Sequence, residues 1–105
     1  MGTCVRLILP DRDEGVQADI LDRIVSRWNG VTVTRGFGLW NGPKDRARES
    51  ILILECSICG PWVESRLWWK ELTQDACRVF GETCVFLSRR DESAMLVYPD
   101  YSELI

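Results

Sequence analysis

The chain has 105 residues, 46% of them apolar and 28% charged, the composition of one globular domain with one core. Thirteen basic residues against 16 acidic ones leave a net charge of −3 without a long basic block, so neither nucleic acid nor an anionic membrane has electrostatic support as a partner. No stretch reaches the ~18 consecutive apolar residues of a membrane span. The N-terminal "MGTCVRLILPDRDEG" also turns acidic before a signal-peptide core forms, so the expected location is the cytoplasm.

A single domain over residues 1–105 is expected, and its elements follow in order. "TCVRLILP", Thr3 to Pro10, is a β-type run stopped by proline and by the charged turn "DRDEG". Asp11, Asp13 and Glu14 in that turn read as solvated charge. From Val16 to Trp28, Ile20, Leu21, Ile24, Val25 and Trp28 recur at helical spacing, and Asn29-Gly30 ends the helix. "VTVTRGFGLW" alternates Val31 and Val33 with Thr32 and Thr34 as a half-buried strand does, and the polar stretch Asn41 to Arg48 breaks it. Glu49 to Ser57 is a third strand. Gly60-Pro61 then opens a second amphipathic helix, Trp62 to Phe80, that Gly81 stops. "TCVFLS" and "AMLVY" are two more strands joined by "RRDES".

The order βαββαβ with an added C-terminal strand predicts an α+β, ferredoxin-like antiparallel sheet with two helices on one face. Ile51 to Leu54, Val85 to Leu87 and Met95 to Val97 are apolar at consecutive positions, which predicts a second face that must also be covered. A further copy of the sheet in a closed cyclic oligomer is the expected cover. Trp68 and Trp69 diverge by ~100° around their helix, so at least one of them is expected to serve a contact or pocket outside the core stripe.

Candidate chemistry is sparse. There is no histidine. Cys56-Ser57-Ile58-Cys59 has knuckle spacing but lacks the second pair that a structural zinc needs, so no metal site is expected. The five cysteines, Cys4, Cys56, Cys59, Cys77 and Cys84, read as reduced and mostly buried. "RGFGLWNG" is not a phosphate loop, and its glycines read as bends or close backbone approaches beside a site. Glu49 stands out by position. A carboxylate at the entrance of a buried strand is paired, protonated or bound to a ligand cation or hydroxyl, unless it sits at the edge and reaches solvent or pairs with Arg46 or Arg48.

"ESILILEC", "DACRVFGETCVFLS" and "SAMLVYPD" resemble the phage-encoded S-adenosylmethionine lyases, long described as hydrolases, over Gly38 to Asp100. The resemblance implies a ferredoxin-like trimer related in shape to the PII signalling proteins, with ligand sites between subunits. It implies a catalytic-site role for Glu49, which immediately precedes the third strand. It also implies substrate contacts for Trp40 and the preceding Gly38, with tryptophan where the family has tyrosine; Phe37 is a second aromatic suited by its chemistry to stack on adenine or face the sulfonium.

The implied reaction needs neither base nor metal nor cofactor: the substrate's own carboxylate displaces 5′-methylthioadenosine from its γ-carbon and closes homoserine lactone. The absence of histidine fits internal displacement better than activation of water. A PII-like sensor that signals through Asn41 to Arg48, and a structural oligomer with a tryptophan-lined protein interface, are the other readings.

Overall fold

The structure, a computed structural model, describes residues 2–82, 85–89, 94–97 and 103–104. Along the chain run β1 (Gly2–Pro10), α1 (Glu14–Trp28), β2 (Thr32–Asn41), β3 (Arg46–Cys59), α2 (Trp62–Phe80), β4 (Val85–Arg89), β5 (Ala94–Val97) and β6 (Glu103–Leu104). The six strands form one sheet in the order β2-β3-β1-β4-β5-β6, every adjacent pair antiparallel. Its first four strands have the ferredoxin-like arrangement, and β5 and β6 extend the β4 edge. Cys84, the "RRDES" turn after Arg89 and Tyr98 lie outside the described residues. No helix among the described residues is long and apolar enough to cross a membrane.

Local chemistry sets the helix ends. Asp13, read in the sequence as a solvated charge, caps α1: its side chain accepts from the Val16 N–H, satisfying a donor that the first turn leaves free. Asn29 closes α1 in the left-handed region at φ 73°, and its N–H donates to Val25 O at 2.8 Å. Gly81 does the same for α2 at φ 68°.

Alternation along the strands sorts side chains between the two faces. Val5, Leu7 and Leu9 of β1 and Leu52, Leu54, Cys56 and Ile58 of β3 are buried together with Ile20 and Ile24 of α1 and Leu72, Ala76 and Phe80 of α2. The reverse face carries the expected apolar residues of Ile51 to Leu54 but is polar beyond them. Ile8, Ile51 and Ile53 share it with Arg6, Glu55 and Ser57, and Arg6 pairs with Glu55 at 3.0 Å. The apolar run in β3 ends at Leu54, and charge and hydroxyl take the next open-face positions.

The tryptophans divide as the helix geometry requires. Trp69 is 1% exposed and Trp62 8%, so both belong to the core. Trp68 turns toward α1 and meets Trp28 edge-on at 5.7 Å between ring centroids, while Trp28 stacks on Trp69 at 6.0 Å. Trp69 is therefore in the core, and Trp68, at the seam between the two helices, stays partly exposed beside Asp22, Arg23, Ser26 and Arg27. Across the same seam Arg23 of α1 pairs with Asp75 of α2 at 3.0 Å.

The largest departure is the β2–β3 hairpin. β3 begins at Arg46 and β2 ends at Asn41, so the expected loop from Asn41 to Arg48 shrinks to a tight turn in which Gly42 N–H donates to Asp45 O at 2.8 Å. A β-carbon at Gly42 would stand 2.6 Å from that oxygen, so the turn needs glycine. β1 runs alongside β3 only from Ile51 onward, whereas β2 follows β3 back to Arg46. Among the described residues, the hairpin beyond Phe37 and Ser50 therefore projects as a two-stranded ribbon without a third strand.

Candidate functional site

Strand pairing decides which of the candidate residues meet. Directly opposed residues of an antiparallel pair share a face, and neighbours along a strand alternate. Gly38 opposes Glu49 and Trp40 opposes Ala47, so Gly38, Trp40 and Glu49 lie on one face of the ribbon, continuous with Ile51 and Ile53 on the open side of the sheet. Phe37 opposes Ser50 and Leu39 opposes Arg48, which puts Phe37 on the other face. Three of the four candidates are thus brought together; Phe37 is turned away from them within its own protomer.

The two faces differ in chemistry. Arg48 lies over the Phe37 ring with its guanidinium carbon 4.1 Å from the centroid, a cation–π contact. Arg46, opposite Asn41, is on this face as well, and Arg35 pairs with Asp11 at 3.5 Å. Neither of the arginines expected to neutralise Glu49 is therefore on its side. The side chain of Glu49 is half-buried and makes no hydrogen bond or ion pair with the described residues. An acid in that position is available to a ligand that brings its own cation or hydroxyl.

Beside Glu49 the indole of Trp40 folds back over Gly38, with its Cζ2, Cε2 and Nε1 atoms in the space that a β-carbon at residue 38 would take. Trp40 remains 48% exposed, so much of its surface is free for contact. Phe37 and Leu39 on the reverse face are 54% and 55% exposed. Large apolar side chains on both faces of an unsupported ribbon mark a surface that gains by being covered. Neither helix packs on β2.

The cysteines give no second centre. Cys56 is buried and donates to Gly30 O at 3.3 Å; burial, with Cys4 nearby as a smaller cause, pushes its thiol up to about 11. That shift makes it a poor nucleophile or metal ligand. Cys77 donates to Val97 O at 3.0 Å inside the core, and Cys59 is exposed. Among the described residues no cluster of cysteine and carboxylate side chains could hold a metal ion.

The alternation that found β2 already contained the face assignment, because residues 37 and 40 are three apart on a strand and must point oppositely. The partnerless state of Glu49 had no such signal. It depends on β3 starting at Arg46, which places both arginines within the strand on the reverse face.

No protein-family model matches the chain, and no curated protein matches its sequence. Two solved structures match in fold. One is a phage SAM lyase in complex with S-methyl-5′-thioadenosine, at TM-score 0.74 and 11% identity; the other is a phage SAM lyase in the apo state, at 0.71 and 13%. Each comparison covers 97% of this chain and 93% of the other. The likeness in fold therefore reaches beyond Gly38 to Asp100, where the sequence resemblance lies, to β1 and α1 as well.

Proposed function

We propose that this protein is an S-adenosylmethionine lyase that forms 5′-methylthioadenosine and L-homoserine lactone. The observation that supports this reading best is the partnerless carboxylate of Glu49 beside the Trp40 indole, on one face of the projecting ribbon, in a fold shared with phage SAM lyases. A cationic substrate with a flat aromatic base and ribose hydroxyls suits that pair: the acid takes the ammonium or hydroxyls and the indole takes the base or the sulfonium.

In the reaction a lone pair of the substrate carboxylate attacks Cγ from the side opposite sulfur, the new C–O bond closes the lactone ring, and the C–S bond breaks. Its electron pair returns to sulfur, so the sulfonium leaves as a neutral thioether. No proton moves in the bond-changing step, and no general base is required. Opposite charges disappear on the way to products, so an environment drier than water and a folded methionine tail both favour the transition state.

Electrostatics restricts Glu49 to a site away from the sulfonium. Against the sulfonium it would stabilise the charged ground state more than the transition state and slow the step. At the α-ammonium or the ribose it instead orients the tail for attack, and Trp40 holds the adenine end.

Nothing among the described residues roofs the ribbon face within one protomer, and a homotrimer in which neighbouring copies cover it supplies a roof. In that assembly Phe37, on the reverse face, serves the neighbouring copy's site rather than its own. The sensor reading relied on a long loop from Asn41 to Arg48, and a tight turn stands there instead. The test is incubation with S-adenosylmethionine and chromatographic detection of 5′-methylthioadenosine. Time-dependent release supports the proposal; intact substrate after prolonged incubation with folded protein ends it.

A further inference from the structure

We infer that Gly38 is a positioning residue for Trp40, the seat over which the indole folds back along β2 on the Glu49 face of the ribbon; its bearing on turnover rests on the lyase reading above. A β-carbon built at Gly38 would stand 2.6 Å from Trp40 Cζ2, 2.9 Å from Cε2 and 3.2 Å from Nε1. Real β-carbons do not come that close to ring atoms, so any side chain at 38 displaces the indole.

Backbone conformation does not explain this glycine. The glycines with positive φ among the described residues are Gly60 and Gly81. Gly38 belongs to a regular stretch of strand opposite Glu49. Gly36, two residues earlier on the same face, has only Ile53 Cδ1 within reach, at 4.0 Å. The crowding is therefore particular to Gly38, and its source is the one aromatic ring on that face of the ribbon.

The physical effect is preorganisation. A tryptophan on a two-stranded ribbon, unsupported by a third strand, would otherwise divide its time among rotamers, and a ligand would have to select one of them. By leaving the space above residue 38 empty, the strand admits the rotamer that lays the indole back along β2, one cross-strand step from Glu49. The indole and the carboxylate are thereby held as a pair spaced for a ligand with an aromatic end and a cationic or hydroxyl-bearing body.

The test is Gly38→Ala, which an extended strand accepts. Its melting temperature should stay within a few degrees of the parent. With S-adenosylmethionine as substrate, KM should rise about tenfold while kcat stays within about twofold, the pattern of lost ground-state placement. In a Trp40→Ala background the same change at Gly38 should have almost no further effect, because there is no indole left to displace.

A second readout needs no substrate. In protein with 15N-labelled indoles, the Trp40 Nε1–H signal, identified by its loss in Trp40→Ala, should shift in Gly38→Ala while the other tryptophan signals stay in place. An unmoved Trp40 signal, or kinetic losses that add in full, would overturn the assignment. If the parent protein leaves S-adenosylmethionine intact, the lyase reading fails, and the indole signal still decides whether Gly38 seats Trp40.

Discussion

Glu49→Gln probes the proposed site most sharply, because it keeps the side chain's shape and removes only its charge. A hydrogen bond to a charged group contributes about 1.5–3 kcal/mol when well placed and shielded, whereas an exposed ion pair contributes about 0.2–1 kcal/mol. Glu49 lies between these cases, half-buried and without a competing protein cation. An intermediate loss of about 1.5–2 kcal/mol corresponds to a ten- to thirtyfold fall in kcat/KM, at ~1.4 kcal/mol per tenfold. Part of that loss should be in kcat, because an acid that orients the methionine tail contributes to the near-attack geometry. The assay is the initial rate of 5′-methylthioadenosine release across a substrate range, with circular dichroism and melting to show that the variant is folded. Full turnover in Glu49→Gln would refute the role. So would a rise in kcat accompanied by a higher KM, which is the signature of a carboxylate placed against the sulfonium.

Trp69→Ala should remove about 3–5 kcal/mol of stability, since the residue is 1% exposed and anchors the seam with Trp28 and Trp68; a melting temperature lower by about 15–30 °C would show it in calorimetry. Trp69→Phe, which also removes an indole N–H that has no hydrogen-bond partner, should cost less than about 2 kcal/mol in the same experiment. Gly81→Ala forces a β-carbon into the left-handed region at φ 68° and should destabilise by about 1 kcal/mol in urea titration. Cys56 gives a pH signature: its thiol is raised to about 11 in the folded protein from 9.0, so the folded state holds the proton more tightly. Its contribution is complete below pH 9 and is lost as pH rises toward 11, so Cys56→Ala should flatten the alkaline end of the stability profile.

Element type was legible wherever punctuation and periodicity coincided. Gly60-Pro61 and Gly81 bracket α2 at Trp62 and Phe80, and structure and sequence agree on both ends. The start of β3 was hidden because Arg46, Ala47 and Arg48 carry no buried face: a ribbon open on both sides imposes no alternation, and a charged strand then looks like a loop. The tryptophan pair shows what a local pattern leaves out. Trp68 has a partner, but that partner is Trp28 on α1, and no local pattern in α2 announces it. The apolar run from Ile51 to Leu54 marks only part of the open face, because Ile51 and Ile53 give way to Glu55 and Ser57 at the same parity. At the site, the parity of residues 37, 38, 40 and 49 was readable once the strands were paired. The solitude of Glu49 and the crowding at Gly38 are properties of three-dimensional placement.

The measurement closest to the central claim is the reaction of S-adenosylmethionine in 18O-labelled water, quenched early and resolved by mass spectrometry with fragmentation. Internal displacement predicts unlabelled homoserine lactone formed in step with 5′-methylthioadenosine, with any later label confined to the carboxylate that ring opening produces. Homoserine carrying 18O in its γ-hydroxyl from the first turnovers would mean that water attacked the γ-carbon, and would contradict the account.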